Sequence, residues 1–121
     1  MHYESTVTVQ AKSAPGVTLR IRRMSFGRRL ELMRRIRELT RRAAALEETA
    51  DEAEEKMEAA LLAFEMDRIY LTWGVEEIRG LEVDGMAATA ESLAEAGPEP
   101  LFREALALVK GACGLGGGQH G

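Results

Sequence analysis

Apolar and polar residues alternate in two short stretches near the start of the chain. Ser5-Thr6-Val7-Thr8-Val9-Gln10 alternates and is rich in β-branched residues. In Val17–Arg22, Val17, Leu19 and Ile21 share one face, and Thr18, Arg20 and Arg22 share the other. A period of two with β-branched residues predicts strands. Pro15-Gly16 between them is a turn signal, so a β-hairpin is predicted, with residues 11–16 as a connection long for a tight one. Ser25 then offers a hydroxyl that can cap a helix N-terminus. From Arg28 to Trp73 there is no Gly or Pro, and Ala, Leu, Glu, Arg and Met, all good helix formers, dominate. Leu32, Ile36, Leu39, Ala43 and Leu46 form one helical stripe. Met57, Leu61, Phe64 and Leu71 form a second, and Leu62, Met66, Ile69 and Trp73 a third. A helix apolar on several sides is expected to be buried.

One helix over this region would be a rod of about 70 Å, against a radius of gyration of about 14 Å for a compact chain of this length. Glu47-Glu48-Thr49-Ala50-Asp51 is the polar weak point, with Thr and Asp able to start a new helix. The pattern favours an antiparallel helical hairpin bent near residues 47–51. The other arrangement is a single long helix in a homo-oligomer, because the 4,3 spacing continues through Ala50, Ala53, Met57, Ala60 and Phe64. Beyond it, Gly74 is placed to end the helix. Val75–Val83 reads as a strand, and Asp84-Gly85 as a turn pair. Thr89 can cap a short helix stopped by Gly97-Pro98. Pro100 suits the first turn of a last helix, Leu101 to about Ala112, with Leu101, Ala105, Leu108 and Val109 as its apolar face. These elements predict a helix-dominated α+β fold over residues 1–113: a central antiparallel helical hairpin, an N-terminal β-hairpin, a short strand and a C-terminal helix. A flexible Gly-rich tail is predicted for 114–121.

Composition narrows the class. The 121 residues are 45% hydrophobic, 30% charged and only 5% aromatic, which predicts one small domain with an aliphatic core. No apolar run approaches the 18 residues a membrane span needs. The N-terminus, Met1-His2-Tyr3-Glu4-Ser5, lacks a signal-peptide pattern. A single cysteine, Cys113, excludes an internal disulfide or a Cys-cluster zinc site. The expected compartment is the cytoplasm, with no membrane partner.

The net charge of −4 hides a strong segregation. Arg20–Arg42 holds ten arginines, no lysine and two acids, Glu31 and Glu38, a local balance of +8. Glu47–Glu58 holds seven acids and Lys56, a balance of −6. Guanidinium groups suit bidentate contact with phosphate or carboxylate. A nucleic-acid-binding regulator using Arg28, Arg34, Arg35 and Arg41 is therefore one reading. A solvated face paired in part to the acidic segment is the plainer one, because Phe26 is the only aromatic among the arginines and the chain as a whole is acidic. A chain folded back near residue 49 would bring the acids of 51–58 to Arg37, Arg41 and Arg42. An acidic partner surface would use the surplus arginines.

Candidate chemistry is sparse. No phosphate-loop or nucleophile-elbow motif is present. The histidines, His2 and His120, sit at the two ends, where neither is held as a general base must be. Glu54, Glu55, Glu58 and Glu65 lack the helical His of bundle di-metal sites. Asp67 and Arg68 read as a partly buried ion pair. Tyr70 and Trp73 are expected where helix meets strand, or as interface anchors. Asp84-Gly85 lacks the alternating acids of a calcium loop. No catalytic residue, metal or cofactor is expected.

Three stretches, "LRIRRMSFGRR", "IYLTWGVEEIRGLEVDG" and "ATAESLAEAGPEPLFREALALVKGACGL", together resemble the small tail assembly chaperones of tailed phages and prophages. The likeness runs from about Val17 to Leu115 and leans on Trp73, Gly74, Val75, Gly80, Leu81, Asp84, Gly85 and Leu93. The resemblance implies a non-enzymatic role in virion morphogenesis, in a bacterial host's cytoplasm. There the chaperone coats a long helical tape-measure protein until tube subunits polymerise around it. Many such chaperones also occur as a frameshifted, longer product. Met24, Met33, Met57 and Met66 would give such a protein an adaptable surface. The residues expected to meet the partner are Arg28, Arg34, Arg35, Arg41, Met57, Met66, Tyr70 and Trp73. A structural subunit of a phage-like particle is a further reading.

Overall fold

The computed structural model describes residues 1–49 and 51–114. In chain order the elements are β1 (Thr6–Gln10), β2 (Thr18–Arg22), α1 (Phe26–Thr49), α2 (Glu52–Gly74), β3 (Val75–Arg79), β4 (Glu82–Val83), β5 (Met86–Ala87), α3 (Ala90–Ala96) and α4 (Glu99–Ala112). The fold is α+β and helix-dominated, as the periodicities predict. The chain divides into two compact units. One takes residues 1–24 and the chain from Tyr70 onward, and the other takes Ser25–Ile69.

The first unit is built on a three-stranded antiparallel sheet of order β1-β2-β3. β2 is central, and its predicted apolar face is the buried one, with Leu19 at 0% and Ile21 at 1% exposure. Burying such a side chain is worth about 1.5–3 kcal/mol. α4 packs on β2, and α3 packs on β3 and β4, so the core gathers Leu19, Ile21, Leu93, Leu101, Ala105 and Val109. On α4 the buried positions include Leu106, while the predicted Leu108 is only half-buried. In β3 the buried residues Val75 and Ile78 are three apart, which a regular strand would put on opposite faces. A bulge between Arg20 and Ile21 in the β2–β3 pairing restores them to one face. The same bulge leaves both Glu76 and Glu77 within reach of Arg20, at 3.9 and 2.8 Å.

The turns follow their chemistry. Asp84 and Gly85 both have positive φ, 53° and 82°, as a two-residue hairpin between β4 and β5 requires. Thr89 accepts from the Ser92 backbone N–H at 3.1 Å while the Ser92 hydroxyl accepts from the Thr89 N–H at 2.9 Å, a reciprocal cap on α3. Gly74 ends the helix as the sequence predicts, without a left-handed φ. It is the last residue of α2, β3 follows at once, and a Cβ there would overlap the Val109 methyls. Gly80 has φ +87°, and a Cβ there would run into the Gly16 carbonyl oxygen. The 11–16 connection is pinned from α4. Lys12 N–H and Ser13 N–H donate to the Glu104 carboxylate at 2.7 and 2.9 Å, and the Ser13 hydroxyl donates at 2.6 Å. The Lys12 backbone bond first, then the Ser13 hydroxyl and N–H, hold the Glu104 carboxyl below its usual value.

The second unit is the helical hairpin. Ser25 caps α1, accepting from the Arg28 N–H at 3.2 Å. Asp51 caps α2 in the same way, accepting from the Glu54 N–H at 3.0 Å. The region is thus two helices and not one rod, and Arg42 on α1 meets Glu65 on α2 at 3.6 Å. The predicted tail lies outside the described residues from 115 onward.

Two outcomes follow from this packing. Gly80→Ala combines a positive φ with a backbone overlap and should cost about 3 kcal/mol, lowering Tm by about 10 °C in a thermal melt. Gly27→Ala, in open space, should stay within about 0.5 kcal/mol of the parent. Glu104→Gln should destabilise at neutral pH. Because the folded carboxyl titrates below the ordinary 4.5, its contribution is present above that value and is lost as pH falls through the depressed one. Denaturant titrations of parent and variant should therefore differ at pH 7 and converge near the acid end.

Candidate functional site

The helical unit buries one seam. Leu32 and Leu39 of α1 and Leu62 of α2 are buried, and Ile36, Leu46 and Met66 are half-buried. The first stripe of the sequence thus turns inward on α1, and of the two stripes on α2 the one beginning at Leu62 is the one that turns inward. The second divides: Leu71 is buried in the sheet unit, but Met57, Leu61 and Phe64 are 68%, 48% and 60% exposed. They stand at i, i+4 and i+7, one continuous ridge on α2. A matching ridge on α1 has the same spacing: Phe26, Leu30 and Met33, with Phe26 at 81% exposure. At about 100° per residue these positions lie 100–160° around α1 from Leu32. Large apolar side chains grouped on one line of a helix mark an interaction surface far better than the same residues scattered singly.

Charge follows the ridges. Arg35 pairs with Glu31 at 2.9 Å and Arg41 with Glu38 at 3.3 Å, both within α1. These two predicted partner-binding arginines are thus engaged by their own helix, each pair worth a few tenths of a kcal/mol. The cross-hairpin pair is Arg42–Glu65, not a pair with the acids of 51–58. Arg34, with Arg29 and Arg37, makes no ion pair among the described residues. Arg28 is half-buried next to the Ser25 cap. Beside the α2 ridge stand Glu54, Glu58 and Glu65. Glu58 is half-buried and its Oε1 has no hydrogen-bond partner among the described residues.

The remaining predicted contacts fall elsewhere. Met66 and Tyr70 are half-buried, and Met57 is exposed. Trp73 is a correction: at 3% exposure it is core, with its indole Nε1 unpartnered, and cannot serve as an interface anchor. Lys110 lies 5.8 Å over the Tyr70 ring. Burial pushes the Tyr70 hydroxyl up, Cys113 adds to this, and Lys110 acts against it. The polar face of the sheet holds a shallow depression of about 120 Å³ lined by Thr8, Thr18, Arg20, Glu77 and Arg79. That is below the size of a small-molecule pocket, and Glu77 already bridges Arg20 at 2.8 Å and Arg79 at 3.2 Å. Among the described residues no three His, Cys, Asp or Glu side chains gather as a metal site would, and no helix is long and apolar enough to cross a membrane.

In the ridge Phe26–Leu30–Met33, only Met33 is expected at a surface from the sequence; Phe26 and Leu30 are not. Its signal was present as an apolar i, i+4, i+7 run at the start of α1, overshadowed by the arginines around it. Comparison of the chain with protein-family models, with curated proteins and with solved structures gave no match.

Proposed function

We propose that this chain is a non-enzymatic binding protein, an assembly chaperone for the tail of a phage-like particle. It would hold a long tape-measure-type helix in the host cytoplasm through the exposed ridge of α2. The observation that carries the reading is that Met57, Leu61 and Phe64 form an uncovered line at helical spacing. A client helix with its own apolar seam docks on such a line by helix-in-groove anchoring. Fully burying the three side chains is worth about 1.5–3 kcal/mol each before the cost of association is subtracted. Met57 adds an adaptable contact. Glu54 and Glu65 beside the ridge favour a client with basic residues flanking its seam. The resemblance in "IYLTWGVEEIRGLEVDG" supplies the class of client; the ridge supplies the means of holding it.

Co-expression with a tape-measure-type protein tests this. The parent chain should keep that protein in the soluble fraction and co-purify with it. Leu61→Asp and Phe64→Asp should lose both, with helix content by circular dichroism retained. A client that stays soluble alone and never co-purifies would end the reading. Arg29, Arg34 and Arg37 are what a nucleic-acid regulator would use instead. Titration with duplex and single-stranded nucleic acid should show no binding, and binding that falls steeply with salt would favour the regulator.

A further inference from the structure

The two uncovered ridges of the helical unit are mirror images in composition. Along α1 the line reads Phe26, Leu30, Met33 and then Arg37. Along α2, read backwards, it is Phe64, Leu61, Met57 and then Glu54. The steps are 4, 3, 4 in the first and 3, 4, 3 in the second, so the lines span about 16.5 and 15 Å at 1.5 Å per residue. Laid antiparallel, Phe26 faces Phe64, Leu30 faces Leu61 and Met33 faces Met57. Arg37 then faces Glu54. Both are exposed, and neither has an ion pair among the described residues. Arg29 and Arg34 flank the first ridge, and Glu58 flanks the second. Within one chain the two helices meet at Arg42–Glu65, and each ridge lies about 100–160° around its helix from the buried Leu32 or Leu62.

We infer that the ridge on α1 of one copy packs antiparallel against the ridge on α2 of a second copy. The occupant is another molecule of this chain, chosen by matching apolar steps and by opposite charge at the Arg37–Glu54 end. The contact is heterologous, with different patches on the two partners, so it closes into a ring or else grows into a chain. It puts the ridge of the proposed function to a second use: self-association covers the ridge while no client is present. The client then competes for it.

Sedimentation equilibrium of the full chain should show dimers or larger species, and a chain that stays monomeric up to about 1 mM overturns the inference. Leu30→Glu and Leu61→Glu each remove the centre of one ridge at an exposed helical position. Each alone should weaken association by about 30-fold or more. Mixed together they should re-associate, because the first variant keeps its α2 ridge and the second its α1 ridge. Arg37→Glu alone and Glu54→Arg alone should each weaken association by roughly threefold, and the double variant should regain the parent value. No rescue on mixing, or none in the double variant, would overturn the pairing. The outcome separates from the client test: a monomer that still captures its client leaves the chaperone reading standing. An oligomer that captures none leaves only the self-pairing.

Discussion

Two helices packed side by side have a single seam between them, and each helix can turn roughly one 100°-wide stripe toward it. α1 carries a modest supply of apolar residues and fills its share of the seam with Leu32, Ile36 and Leu39. α2 carries more than one stripe. Leu62 and Met66 take the seam, and Leu71 and Trp73 go to the sheet unit, where the last turn of the same helix belongs. Met57, Leu61 and Phe64 are what remains. They stay exposed on α2, as Phe26, Leu30 and Met33 do on α1.

The elements themselves were largely legible. The alternation in Val17–Arg22, the absence of Gly and Pro from 28 to 73, the polar 47–51 segment and the Asp84-Gly85 pair each act locally. Local rules therefore place the hairpin, the helices, the break at Asp51 and the turn. Less legible was anything decided by a neighbour remote in sequence. Gly74 is required by Val109 and not by its own φ. The Val75–Ile78 spacing looks irregular until a bulge against β2 explains it. Trp73 reads equally well as core or as anchor, and its burial comes from packing that no residue near it announces.

The site shows the same division more sharply. Two apolar stripes could be counted along α2, but which one turns inward could not, because an inward and an outward stripe use the same amino acids. The arginines divide in a related way. Arg35 and Arg41 belong to the basic block, and each has a glutamate one turn away on the same helix. Arg29, Arg34 and Arg37, in the same block, make no ion pair among the described residues. Charge density along a helix is thus a poor guide to available charge. The i, i+3 and i, i+4 neighbours decide it.

The sheet unit is assembled from both ends of the chain, and its two ends are fastened directly where Glu104 takes the backbone of Lys12 and Ser13. On the ribosome this arrangement imposes a wait. Leu19 is made about 90 residues before Val109, and at about 5–20 residues per second the interval is roughly 5 to 18 seconds. Throughout it, the first β-hairpin is without the strand and helices that cover its greasy side. Within that window Leu19 and Ile21 stay open to water.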